Sequence, residues 1–213
     1  MAEEQVQVKK KMPDTLGAMI GVLAAIAIIS GLALGFVNYI TYDKIEANQK
    51  ERTMLAVREA LPEYTNDPSA EVWYDPEHEG FAAYPARMNG ELQGVAVRAS
   101  VSSGYGGEIS GIVGFTPEGR VSKLIILQHS ETPGLGANIE KQDFRDQFIG
   151  SRPLGPNANP PQVRQDLQDG DMPVDAITAA TISSRAVVDL VMAAAQAHVD
   201  YSRQPDYLGG SDE

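Results

Sequence analysis

The residues of this chain best suited to chemistry are Asp175-Ala176-Ile177-Thr178-Ala179-Ala180-Thr181, which run directly into Ile182-Ser183-Ser184-Arg185. Ala179 and Ala180 leave the backbone open to close approach. Thr181 presents a secondary alcohol at the start of a helix. First-turn amides of a helix have no internal partner and carry partial positive charge. A phosphate placed there is stabilised by geometry alone. A hydroxyl beside such an anion site is what a phosphate ester to the protein itself would need. The same residues also suit an ordinary helix start, because Thr181, Ser183 and Ser184 are all good N-cap types. The helix they open carries an apolar stripe of Ile182, Ala186, Val187, Leu190, Val191 and Ala194 at helical spacing.

A second motif, His129-Ser130-Glu131-Thr132-Pro133-Gly134-Leu135-Gly136, closes the apolar run 121–127. That run, with Leu124, Ile125, Ile126 and Leu127, reads as a buried strand. Pro133 and the two glycines then force an irregular loop whose backbone can approach a flat ligand. Pro-Gly-Leu-Gly alone is simply a strand-ending turn. The two motifs together say more.

Asp-x-x-Thr-x-Ala-Thr and His-x-Glu-Thr-Pro-Gly-Leu-Gly, with Phe144-x-x-x-Phe148-x-Gly150 between them, resemble the FMN-binding subunits of two related respiratory complexes. These are the G subunit of the Rnf electron-transport complex and the C subunit of the sodium-pumping NADH:quinone reductase. The resemblance extends through an N-terminal membrane helix and Ser103-Gly104-Tyr105-Gly106-Gly107-Glu108-Ile109. It implies covalent FMN, joined to Thr181 by a phosphodiester that a flavin transferase makes from FAD with Mg2+. It also implies that Asp175, Thr178 and Ala180 are read by the transferase. The loop would pack on the isoalloxazine, with Glu131 and Thr132 offering polar contacts to the ring edge and Leu135 an apolar one. Gly134, Gly136, Ala179, Ser183 and Ser184 complete the cofactor-binding set implied. Where the commoner motif has Gly this chain has Ala179, whose methyl makes positive backbone torsions less accessible. The details of the loop favour the Rnf G subunit over the quinone-reductase C subunit.

Composition narrows the alternatives. The 213 residues include no Cys and three His. Disulfides, thiolate-bound iron–sulfur clusters and thioether-attached haem are therefore excluded. His78, His129 and His198 are widely spaced, so no zinc site is expected. Any electrons handled here need an organic carrier. A net charge of −12 argues against binding nucleic acid or anionic lipid headgroups. We find no carboxylate pair or nucleophile–base triad that would serve hydrolysis.

Residues 16–40 contain no charge and are rich in Ala, Ile, Leu, Val and Gly. About 20 such residues cross the hydrocarbon core of a bilayer. The run exceeds the h-region of a cleavable signal, and no clean Ala-x-Ala site follows it. An uncleaved transmembrane helix is expected, preceded by a short tail, 1–15. Lys9, Lys10 and Lys11 precede the span, but Lys44, Lys50 and Arg52 follow it, so the positive-inside count does not fix orientation. The resemblance places the domain outside the cytoplasmic membrane and implies other membrane subunits as partners.

The spacing predicts a polar juxtamembrane helix over 41–62, closed at Pro62, then the FMN-binding domain over 63–206 and a frayed C-terminus over 207–213. Asn89-Gly90 predicts a hairpin between 81–88 and 92–101, and Pro117-Glu118-Gly119 a second between 109–116 and 121–128. A short helix is expected over 141–149 and a long one over 182–201. Residues 151–161, with four prolines and two asparagines, read as a loop. Strands followed by helices imply an α+β domain with an antiparallel sheet packed by helices. The class left standing beside the redox one is a membrane-tethered binding or scaffold domain in which Thr181 merely begins a helix.

Overall fold

The computed structural model describes residues 16–76, 78–205 and 207. The expected tail 1–15 and the chain from 208 onward lie outside the described residues. The chain divides into two units, 1–49 and 50–213.

Helix α1 runs unbroken over Leu16–Ala60, so the membrane and juxtamembrane segments expected from the sequence are one helix. Within the first unit, Gly17–Tyr42 has a mean hydropathy of 2.5 and none of it is buried. That stretch is long and apolar enough to cross a membrane.

The second unit is built on a five-stranded antiparallel sheet in the order β1-β2-β3-β4-β5. The strands are β1 (Trp73–Tyr74), β2 (Ala82–Met88), β3 (Glu91–Gly104), β4 (Gly107–Phe115) and β5 (Val121–His129). Asn89 and Gly90 both take positive φ, 54° and 87°, which is what a two-residue hairpin of matching twist demands. The hairpin through 117–119 also forms as expected. The intervening β3–β4 hairpin, turning at Tyr105-Gly106, is not expected from the sequence.

Alternation along the strands feeds two cores. On one face Val95, Val97, Val113, Phe115 and Leu124 pack beneath α3 (Thr181–Ser202). On the other, Ala82, Tyr84, Ala96, Ile112 and Ile125 meet Ala56, Val57 and Ala60 from the end of α1. A Cβ on Gly114 would sit 2.6 Å from the Ala60 carbonyl, so only glycine lets the helix end come that close.

The expected helix over 141–149 is instead three short turns: a 3-10 turn at Gly136–Glu140, α2 at Gln142–Arg145 and a 3-10 turn at Asp146–Phe148. Phe144 and Phe148 are buried and meet edge-on, with ring centroids 5.5 Å apart. A short parallel pair, β6 (Pro161–Val163) and β7 (Met172–Val174), leads into the motif at Asp175. It begins in the Pro-rich region that reads as loop. Tyr207, expected in a frayed terminus, is 7% exposed. Its hydroxyl donates to the Pro117 carbonyl at 3.2 Å and lies 3.1 Å from His198 Nε2.

Candidate functional site

The two motifs meet. Thr181 is the first residue of α3, and the loop after β5 lies beside it around a cavity of about 560 Å3. The lining comes from Glu131, Thr132, Leu135, Gly136 and residues 179–183, with Tyr105 from the β3–β4 turn. Small-molecule sites are typically mostly apolar cavities of about 300–1,000 Å3 with a few placed polar groups, and this one matches that description.

The start of α3 does not behave as an ordinary capped helix. Ala180 occupies the N-cap position with φ −137° and ψ 43°, and no side chain caps it. Thr181 is inside the helix rather than at the cap. Ser184, also a candidate cap, is fully buried. Its hydroxyl accepts from the Ile177 amide and donates to the Ala180 carbonyl, both at 3.0 Å. Ser184 thus ties the turn before α3 to its first coil and does not line the cavity. The amides of Thr181, Ile182 and Ser183 are left without a side-chain cap at the cavity edge, the arrangement that favours an anion.

Ala179 takes φ +61°, one of three non-glycine residues in that region among those described. The turn before Thr181 therefore does require a positive torsion where the commoner motif has Gly. Ala adopts it at a cost of roughly 1 kcal/mol.

Glu131 is 5% exposed and is held at both oxygens. The Gly106 amide donates to Oε1 at 3.0 Å, and the Ser183 hydroxyl donates to Oε2 at 2.5 Å. The Glu131 amide donates to His129 Nδ1, which puts the ring proton on Nε2, 3.0 Å from Glu140 Oε1. Gly136 packs into the same knot: a Cβ there would lie 2.4 Å from Glu131 Oε2. Glu131 borders the cavity, but its carboxylate is engaged in joining a hairpin, a loop and a helix.

Asp175, Thr178 and Gly134 lie elsewhere. They line a neighbouring cavity of about 580 Å3 with Asn138, Lys141 and Gln147, and the two cavities share Leu135 and Ala179. Asp175 is exposed and paired with Arg164, whose hydrogen bond and charge hold its carboxyl below the usual range. Gln147 Oε1 accepts from the Asp175 amide at 2.7 Å. Beyond Thr181, Arg185 pairs with Asp166. The 3-10 turn Arg164–Asp166 thus reaches both flanks of the motif.

Two lining residues escape a reading of the sequence. Ile182, placed by spacing on the buried stripe, is 51% exposed and faces the cavity instead. It lies on the same face of α3 as Arg185 and Asp189, which are also exposed. Tyr105, 71% exposed, lies in the Gly-Tyr-Gly-Gly segment, where three glycines around one aromatic are the available signal.

The FMN-binding domain family matches residues 104–196, which include both motifs and every residue lining the cavity. The chain is 33% identical over 184 residues to the G subunit of the ion-translocating oxidoreductase complex of Vibrio atlanticus, covering 82% of this chain and 86% of that one. It is 28% identical over 211 residues to the G subunit of the Na+-translocating ferredoxin:NAD+ oxidoreductase complex of Acetobacterium woodii, covering 94% and 99%. The fold is similar to that of the C subunit of Na+-translocating NADH-quinone reductase from Parabacteroides distasonis, with a TM-score of 0.50 at 21% identity over 66% of this chain and 69% of that one. The chain belongs to the G-subunit family of Rnf-type ion-translocating oxidoreductase complexes.

Proposed function

We propose that this protein is a membrane-anchored electron-transfer subunit with FMN esterified to Thr181, a relay in an ion-translocating ferredoxin:NAD oxidoreductase complex. The observation that carries this reading is Thr181 itself, a cavity-lining hydroxyl on the first residue of an uncapped helix. The uncapped amides suit the phosphate of the ester. Leu135, Ile182 and Tyr105 supply apolar surface for the ring, and the lining fits such a group. The flavin would supply one- and two-electron chemistry, while the protein places and tunes it.

The apolar stretch Gly17–Tyr42 supports a single membrane span. The domain would then lie on the extracytoplasmic side, where an ester prevents loss of a cofactor that is not readily replaced. Other membrane subunits would exchange electrons with it. A flavin transferase would make the bond, reading Asp175, Thr178 and Ala180. The relatives named support the Rnf G subunit rather than the C subunit of the sodium-pumping quinone reductase.

Intact mass of protein co-expressed with a flavin transferase tests the reading. The expected mass is that of the chain plus one FMN less one water, with flavin fluorescence surviving denaturation, and Thr181→Ala should abolish both. A colourless protein of unmodified mass from transferase-competent cells would leave only a tethered binding or scaffold domain.

A further inference from the structure

The turn between β3 and β4, Gly104-Tyr105-Gly106-Gly107, carries one side chain. Its backbone is pressed onto the loop after β5. A Cβ on Gly106 would lie 2.0 Å from the Ser130 carbonyl oxygen, and one on Gly104 would lie 2.6 Å from Glu131 Oε1. The Gly106 amide is bonded to that same carboxylate at 3.0 Å. Gly104 and Gly107 are register partners, and Gly107 has φ +107°. No other residue type fits these contacts, so the hairpin tip is fixed against the cavity wall. What it presents at the cavity is the Tyr105 ring, left 71% exposed.

A large aromatic ring carried on a fixed backbone yet left uncovered gains by stacking on another flat ring. Leu135 and Ile182, 43% and 51% exposed, also border the cavity and supply aliphatic contact. We propose that Tyr105 is a positioning residue whose phenol ring stacks on the isoalloxazine in this cavity. This rests on the FMN reading above and deepens it.

The test uses the full-length protein co-expressed with a flavin transferase, its FMN content fixed by intact mass. Tyrosine and tryptophan stacked on an excited flavin shorten its emission by lending one electron, which then returns to the donor. Leucine cannot lend one. Tyr105→Leu should therefore lengthen the flavin fluorescence lifetime severalfold, and Tyr105→Trp should restore the short lifetime, with the mass adduct intact in both. Because Tyr105 is exposed, neither change perturbs the core. Equal lifetimes in wild type and Tyr105→Leu, each fully loaded with FMN, would overturn the stacking and leave the FMN reading standing. A wild-type protein without the adduct would overturn the FMN reading and the stacking with it.

Discussion

The Ser183 hydroxyl donates to Glu131 Oε2 across 2.5 Å, and this contact fastens the first turn of α3 to the loop after β5. The other carboxylate oxygen takes the Gly106 amide, so a hairpin, a loop and a helix all depend on one side chain. Ser183 is 2% exposed, and Glu131 is the acceptor of its hydroxyl. Glu131→Ala should cost about 2–4 kcal/mol, since it strands a buried hydroxyl and removes two bonds to a charged group. Glu131→Gln keeps an acceptor for Gly106 and a polar partner for Ser183, and should cost about 1.5 kcal/mol or less. Urea denaturation of the two variants checks the difference. Equal losses would mean that the negative charge, not the bonding geometry, stabilises the knot.

Local chemistry makes part of this legible. Asn89-Gly90 marks its hairpin because two consecutive positive torsions suit few other residue pairs. The buried stripe of α3 follows from spacing, apart from Ile182, which falls on the exposed face with Arg185 and Asp189. The β6–β7 pair is hidden by the prolines around it. The resemblance implies Glu131 at the ring edge; its bond to Ser183, 52 residues away, is one that no local pattern shows. Ser184 looks like a cap, yet its hydroxyl serves the turn behind it. Asp175 and Thr181 read as one motif, but they border different cavities.

Ala179, at φ +61°, offers a backbone test of the turn before Thr181. Ala179→Gly removes roughly 1 kcal/mol of left-handed strain but adds a similar freedom to the unfolded chain, so net stability should change by under about 1 kcal/mol. Ala179→Val puts a β-branched residue in a region it rarely adopts and should destabilise by roughly 2 kcal/mol or more. Denaturant midpoints decide the matter. Ala179→Val as stable as wild type would show that the torsion is not required.

Leu135 borders both cavities and is 43% exposed, so it contributes little to the core. Under the FMN reading, Leu135→Ala should leave the mass adduct intact while shifting the flavin absorption band and midpoint potential. Its stability cost should stay near about 1 kcal/mol, as for a half-buried aliphatic chain. Spectrum and potential identical to wild type would remove Leu135 from the ring's surroundings.

His198 provides a pH dependence with a definite sign. It is 5% exposed, stacked on Phe115 at a centroid distance of 4.9 Å, and lies 3.1 Å from the Tyr207 hydroxyl. That hydroxyl donates to the Pro117 carbonyl, so it accepts from His198 Nε2–H. Burial lowers the His198 pKa to about 4 from an ordinary 6.5. The unfolded chain therefore binds the proton first as pH falls. The stabilisation is complete above about pH 6.5 and is lost progressively as pH drops toward 4. Between pH 7 and pH 5 this one group should account for about 2 kcal/mol of lost stability. His198→Gln, which has nothing to titrate there, should lose that much less over the same interval in urea denaturation. A wild-type and variant pair with parallel pH profiles would mean that the imidazole gains its proton without leaving the core.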